Sequence, residues 1–234
     1  MPDFYYYALL AVTGACLGSF ANVVALRHIA GGVWVRAPSS CFACQRRLRF
    51  SENLPIIGWL RHGGRCGCGD RRLPPRYLGV ELALGALLPL AFWRLGADDF
   101  PAAVPFILLL SIIFLTDLEA FIIPNRASLG GAGLGLVFAA LDAPGLPDLK
   151  QALLGGLCGF ALIYGINALY RLWRHRDGMG FGDVKLMVML GVWLGPTSLL
   201  PILFAASMAG AVFRIAMILA QQNRQETAPA QVPF

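Results

Sequence analysis

Long apolar runs separated by short polar or charged stretches organise this chain. The runs cover residues 4–26, 77–94, 101–117, 121–141, 150–173, 183–196 and 199–221. Most match the ~17–25 residues that a helix needs to cross the ~30 Å hydrocarbon core of a bilayer. The pattern predicts an all-α polytopic membrane protein, a bundle of about seven transmembrane helices (six to eight). The sixth run is short, and the seventh follows a break at Gly195–Pro196, so these two are defined least sharply. Even spacing of alternating segments of about ten residues, the signature of a membrane β-barrel, is missing. The first run is too long for the apolar part of a cleavable leader, and "MPDFYYY" ahead of it carries no basic residues. It reads as the first spanning helix.

Composition agrees with this reading. Of 234 residues, 57% are hydrophobic and 14% charged, against about 25% charged in a typical soluble domain. The mean hydropathy is +0.65. Glycines recur inside the runs, as in "LGGAGLG" (129–135) and "GGLCG" (155–159). Small residues at this spacing let helix backbones approach closely in a membrane.

Charge adds the orientation. The formal net charge is +6, but ten of the seventeen arginines lie between Arg27 and Arg76, with only Glu52 and Asp70 to offset them. Beside a membrane helix such a segment reads as a cytoplasmic loop under the positive-inside rule, and no nucleic-acid partner is expected. The division is then a first helix (1–26), a basic loop domain (27–76), a transmembrane core (77–221) and a tail (222–234). The remaining loops alternate as this topology requires. "GADDF" and "DAPGLPDL" are acidic and would face outside, whereas "RLWRHRDGMGFGD" is basic and would face inside.

A carboxylate inside a span is costly and usually faces a bundle interior or a water-filled cavity. The carboxylates at or near spans are Glu81, Asp117, Glu119 and Asp183. Asp117 falls at the inner end of the third run, whose helix is limited by Pro124. Asp183 falls at the inner start of the sixth. They are 66 residues apart in sequence, yet the topology places both at one membrane face. A facing pair of aspartates can share a proton, one acting as base and the other as acid, as in aspartic proteases. The helix N-terminus favours an ionised Asp183, and the helix C-terminus a protonated Asp117.

The motifs around these residues, in order along the chain, resemble those of the bacterial type IV prepilin peptidases. They are "GSFANVVALR" (18–27), "NLPIIGWLRHGGRCGCG" (53–69), "RYLGVELALG" (76–85), "DLEAFIIPN" (117–125) and the G-x-G-D element "GFGD" (180–183). The resemblance implies an intramembrane aspartyl endopeptidase of the bacterial inner membrane, with Asp117 and Asp183 as its catalytic pair. It would cut the basic leader from type IV prepilins or type II secretion pseudopilins, commonly at a Gly-Phe junction. It would then methylate the new N-terminus with S-adenosylmethionine. The expected partners are the leader, the substrate's hydrophobic helix and the lipid bilayer. Gly180, Gly182, Lys185, Pro124, Asn125 and Glu119 would shape the site, Glu119 and Asp177 being placed to meet a basic leader. Two other readings stay open at this point: a G-x-G-D protease of other substrates without methylation, and a small transporter with Asp117, Asp183 and Glu81 as a proton relay.

The basic loop holds Cys41, Cys44, Cys66 and Cys68, while Cys16 and Cys158 lie in spans. Two close pairs 21 residues apart, in a reducing compartment, read as a structural zinc site rather than disulfides. The second pair is C-x-C, one residue shorter than the C-x2-C usual in the family, and His62 is an alternative ligand. Glu81 is expected to pair with an arginine or to help bind the methyl donor. Asn22 and Asn167 are expected to join helices or line a cavity, and Arg214 to reach towards the membrane surface. The opening of a Rossmann-type helix is absent, so the methyl-donor role rests on resemblance alone.

Overall fold

A computed structural model describes residues 2–32, 46–47, 50–52, 54–65, 72, 74–174 and 180–226. The fold is helical. Among the described residues β-structure is limited to isolated bridging, as at Arg65 and Arg72. The α-helices are α1 (Pro2–Ile29), α2 (Ile57–Arg61), α3 (Arg76–Ala120), α4 (Asn125–Ala140), α5 (Leu149–Arg174), α6 (Phe181–Leu194) and α7 (Leu199–Glu226). Among the described residues, four stretches are long and apolar enough to cross a membrane: Phe4–Ile29, Arg76–Ala120, Leu149–Arg174 and Pro196–Ile218. The chain is a multi-pass membrane protein.

The 45 residues of α3 would reach ~68 Å if straight. The helix instead breaks at Gly96, with φ 78° and ψ 178°, backbone angles open essentially to glycine alone. Its two limbs fold back on each other. Arg76 at one end ion-pairs with Glu119 at the other, and the rings of Phe92 and Phe100 meet edge to face at 5.3 Å. The second and third expected spans are therefore a helical hairpin. "GADDF", expected as a loop, is helical apart from Gly96. Its acids sit in the first turn of the second limb, where the helix dipole favours negative charge.

Expected spans four and six are shorter than a membrane crossing. The fourth run was expected from residue 121, but α4 begins only at Asn125, because Phe121 caps α3 in the left-handed region and Pro124 holds an extended conformation. At ~1.5 Å per residue, the 16 residues of α4 and 14 of α6 reach about 24 and 21 Å.

Helix pairing follows from small residues. Along α1 and α3 the contacts run in opposite directions, from Tyr6 with Phe92, through Gly14 with Leu84 and Gly18 with Val80 and Glu81, to Asn22 with Tyr77. A Cβ on Gly14 would lie 2.2 Å from the Leu84 carbonyl oxygen, so only glycine permits this approach. Helices α5 and α6 are also antiparallel. Gly155 meets Gly191, and Gly159 meets Met187, backbone against backbone. Helices α4 and α6 run parallel, from Asn125 with Lys185 to Gly135 with Trp193. Trp193 donates to the Gly131 carbonyl at 2.8 Å and stacks on Phe106 at 5.0 Å. The core between α1, α3, α4 and α6 holds Val24, Ile112, Leu115, Met189 and Trp193. By contrast, α7 keeps most of its side chains exposed.

Candidate active site

Pairing direction decides which residues meet. The second limb of α3 ends where α4 begins, and α6 runs parallel to α4. The C-terminal turn of α3 and the N-terminal turn of α6 therefore share one end of the bundle. Asp117 occupies the first and Asp183 the second. The two carboxylates are close enough for their charges to interact. Asp117 is exposed and Asp183 half-buried.

Local chemistry fixes Asp183. Gly180 is the N-cap of α6, and Asp183 is the third residue inside it. Its backbone N–H donates to the Gly180 carbonyl at 3.1 Å, and its carboxylate accepts the Gly180 N–H in return. This is the carboxylate half of a capping box. Asp183 is thus not itself the N-cap residue. A helix N-terminus and a donated N–H favour its ionised form, while burial and the neighbouring Asp117 oppose it.

The rest of the G-x-G-D element meets the segment that follows Asp117. Phe121, with φ 54°, closes α3 by donating its N–H to the Asp117 carbonyl at 2.9 Å. The buried Pro124 is the N-cap residue of α4, and its carbonyl accepts the Ser128 hydroxyl at 3.0 Å. A Cβ on Gly182 would come within 3.1–3.3 Å of the Ile123 side chain, so this glycine admits the Ile-Pro-Asn segment. Gly180 has ordinary φ, and a Cβ there would make only ordinary contacts, the nearest Asp183 Oδ2 at 3.7 Å; its contribution is the N–H it gives to Asp183. Lys185 donates to the Asn125 side-chain oxygen at 2.7 Å and lies 4.9 Å from the centre of the Phe181 ring.

The other sequence candidates fall as follows. Glu119 is held by Arg76. Glu81 is buried, and no ion pair joins it to an arginine among the described residues. It accepts the Ile56 N–H at 2.6 Å and a bond from Ser19. Asn22 is buried and donates to the Tyr77 carbonyl at 3.3 Å, joining α1 to the first turn of α3. His62 lies 4.0 Å from Glu52, which Arg46 also holds at 2.6 Å. Cys41, Cys44, Cys66, Cys68 and Asp177 lie outside the described residues. Among those described, no group of three or more His, Cys, Asp or Glu side chains could hold a metal. Sequence reasoning missed Ser19, Ile56, Arg76 and Ile123. For Arg76 a signal existed, since the expected topology puts it at the same face as Glu119. For Ile56, whose φ is 64°, nothing in the local sequence announces the conformation.

A helical membrane bundle that brings two aspartates to one end is the architecture of a membrane aspartic peptidase. Residues 104–215 match the Type IV leader peptidase family, and residues 12–95 match the Bacterial Peptidase A24 N-terminal domain. The chain belongs to the type IV leader peptidase family. It is 30% identical to a prepilin leader peptidase/N-methyltransferase of Pseudomonas putida, across 100% of this chain and 88% of that protein. It is 33% identical to one of Klebsiella pneumoniae, across 88% of this chain and 92% of that protein. It is 30% identical to one of Neisseria gonorrhoeae, across 95% and 86%. No solved structure matches the chain.

Proposed function

We propose that this chain is an aspartic endopeptidase that cuts the leader from type IV prepilins or type II secretion pseudopilins at a Gly-Phe junction, on the cytoplasmic face of the bacterial inner membrane. It also methylates the N-terminus so exposed. The observation that carries the peptidase reading is that the C-terminal turn of α3 and the N-terminal turn of α6 bring Asp117 and Asp183 to one end of the bundle, within reach of each other's charge. The names of the relatives support the substrate and the second activity.

In this reading the pair holds one proton. The ionised carboxylate takes a proton from water, and the water oxygen attacks the scissile carbonyl carbon. The protonated carboxyl polarises the carbonyl oxygen, and a proton passes to the leaving amine as the C–N bond breaks. Leu118, Phe121 and Phe181 are exposed beside the pair and offer an apolar rim to the substrate's hydrophobic helix. Gly182 keeps the approach to Asp183 free of side chains. The arginine-rich segment 27–76 supports the cytoplasmic placement of this end. S-adenosylmethionine is the methyl-donor substrate in this reading. The four loop cysteines would hold one structural Zn2+, and metal analysis finding well under one zinc per chain would remove that part.

Purified protein in detergent, given a prepilin with a Gly-Phe junction, is expected to release the leader. Asp117→Ala and Asp183→Ala are expected not to. Full activity in either variant would sink the pair. Labelled S-adenosylmethionine added to the wild-type reaction tests the methylation.

A further inference from the structure

Lys185 is the one basic side chain of α6, a helix otherwise apolar but for Asp183. It is the fifth residue of α6, just past its first turn. It is two residues from Asp183, so the two side chains leave the helix in different directions. Two contacts hold it: the hydrogen bond to Asn125 at 2.7 Å and the Phe181 ring at 4.9 Å. The first is the more informative. Asn125 opens α4, and only Phe121 to Pro124 separate it from the end of the helix that carries Asp117.

Helix α6 is held against α4 along its length, with Met189 against Gly131 in the middle. Near its far end, Trp193 donates to Gly131 and stacks on Phe106 of α3. Near Asp183, the contacts are Gly182 with Ile123 and Lys185 with Asn125. The glycine contact is non-directional and allows sliding. The lysine bond is directional and joins residues 60 positions apart. We propose that Lys185 is a positioning residue, a latch whose bond to Asn125 fixes the start of α6 against the start of α4 and so sets the approach of Asp183 to Asp117. It touches neither reacting carboxylate. This assignment rests on the peptidase reading and deepens it.

The test is a double-variant cycle in the full-length protein in detergent. Lys185→Met keeps the stem and removes the donor; Asn125→Ala removes the acceptor. Displacement of reacting groups by about 1 Å can cost ~100-fold in rate, so each variant is expected to lose about 10–100-fold in kcat with KM changed by less than about twofold. The double variant is expected to be no worse than the weaker single one, because both break one bond. Asn125→Asp, which keeps an acceptor oxygen in place, is expected to recover most of kcat. Wild-type kcat in Lys185→Met, losses that multiply in the double variant, or a rise in KM alone would each overturn the latch. Melting temperatures of the same four proteins separate this from failure of the peptidase reading. If the wild type cuts no prepilin, that reading fails by itself. The latch then stands if the melting shifts of the two single variants are non-additive, and falls if they add.

Discussion

The two ends of the bundle are held together by different chemistry. At the end carrying Asp117 and Asp183, the contacts between segments are polar and directional: Arg76 with Glu119, Lys185 with Asn125, Asn22 with the Tyr77 carbonyl, and Glu81 with the Ile56 N–H. At the opposite end they are rings and close van der Waals packing. Phe92 meets Tyr6, Tyr7 and Phe100, Gly145 receives the Asp99 side chain, and Gly195 lies against Pro147. Rings and glycines fix how close two helices come but tolerate small rotations. A hydrogen bond between named atoms fixes direction as well. The directional bonds gather at the end where two carboxylates from different helices come within reach of each other's charge.

Four sets of substitutions probe this contrast, taken from the largest effect downwards. Loss of a carboxylate at the site end, by Asp117→Ala or Asp183→Ala, is expected to lower cleavage by roughly 10²–10⁴-fold or more, Asp183→Ala also lowering the melting temperature because it removes the acceptor of the Gly180 N–H. Next comes the glycine packing that carries both ends. Gly155→Ala would put a Cβ 2.0 Å from the Gly191 carbonyl oxygen, and overpacking of this kind costs about 1–3 kcal/mol or more. Gly165→Ala on the same helix meets nothing within 4 Å and is expected to be neutral. Thermal unfolding in detergent distinguishes the two, and equal melting shifts would contradict the packing account.

Glu81→Leu leaves the Ile56 N–H and the Ser19 hydroxyl without their acceptor, at about 1–3 kcal/mol. Glu81→Gln keeps an oxygen there and is expected to cost less. Faster proteolysis around residues 54–65 in the leucine variant alone would locate the effect. The smallest change is expected at the ring end. Phe92→Leu removes aromatic pairs worth about 0.5–1.5 kcal/mol, lowering the melting temperature while leaving kcat and KM for prepilin unchanged. A tenfold fall in kcat in that variant would erase the distinction between the ends.

Much of this was legible in the sequence, for physical reasons. The first, fifth and seventh apolar runs are long and uninterrupted, and they became α1, α5 and α7. Asp117 and Asp183 could be brought together from topology alone, because alternation of helices assigns each to a face without any knowledge of packing. The failures came where one residue decides a conformation. The acids of "GADDF" suggested a loop, yet Asp98 and Asp99 suit a helix start, and the turn is made by Gly96 alone. The fourth run looked continuous, but Phe121 and Pro124 delay its helix to Asn125. The partners of Lys185 and Glu81 were hidden because they are 60 and 25 positions away, whereas for Arg76 and Glu119, 43 positions apart, the shared face was legible and only the pairing was not. A sequence pattern gives the face a residue lies on, not the atom opposite it.

The central claim is that two helix ends distant in sequence place Asp117 and Asp183 together. Its most direct test is a short thiol-to-thiol cross-linker applied to the full chain carrying Asp117→Cys and Asp183→Cys, with the joined peptides identified by proteolysis and mass spectrometry. The fold predicts an efficient intramolecular link between positions 117 and 183, and none between 117 and 198 when Ser198→Cys replaces the second substitution. Absence of the first link, or an equally efficient second one, would contradict it.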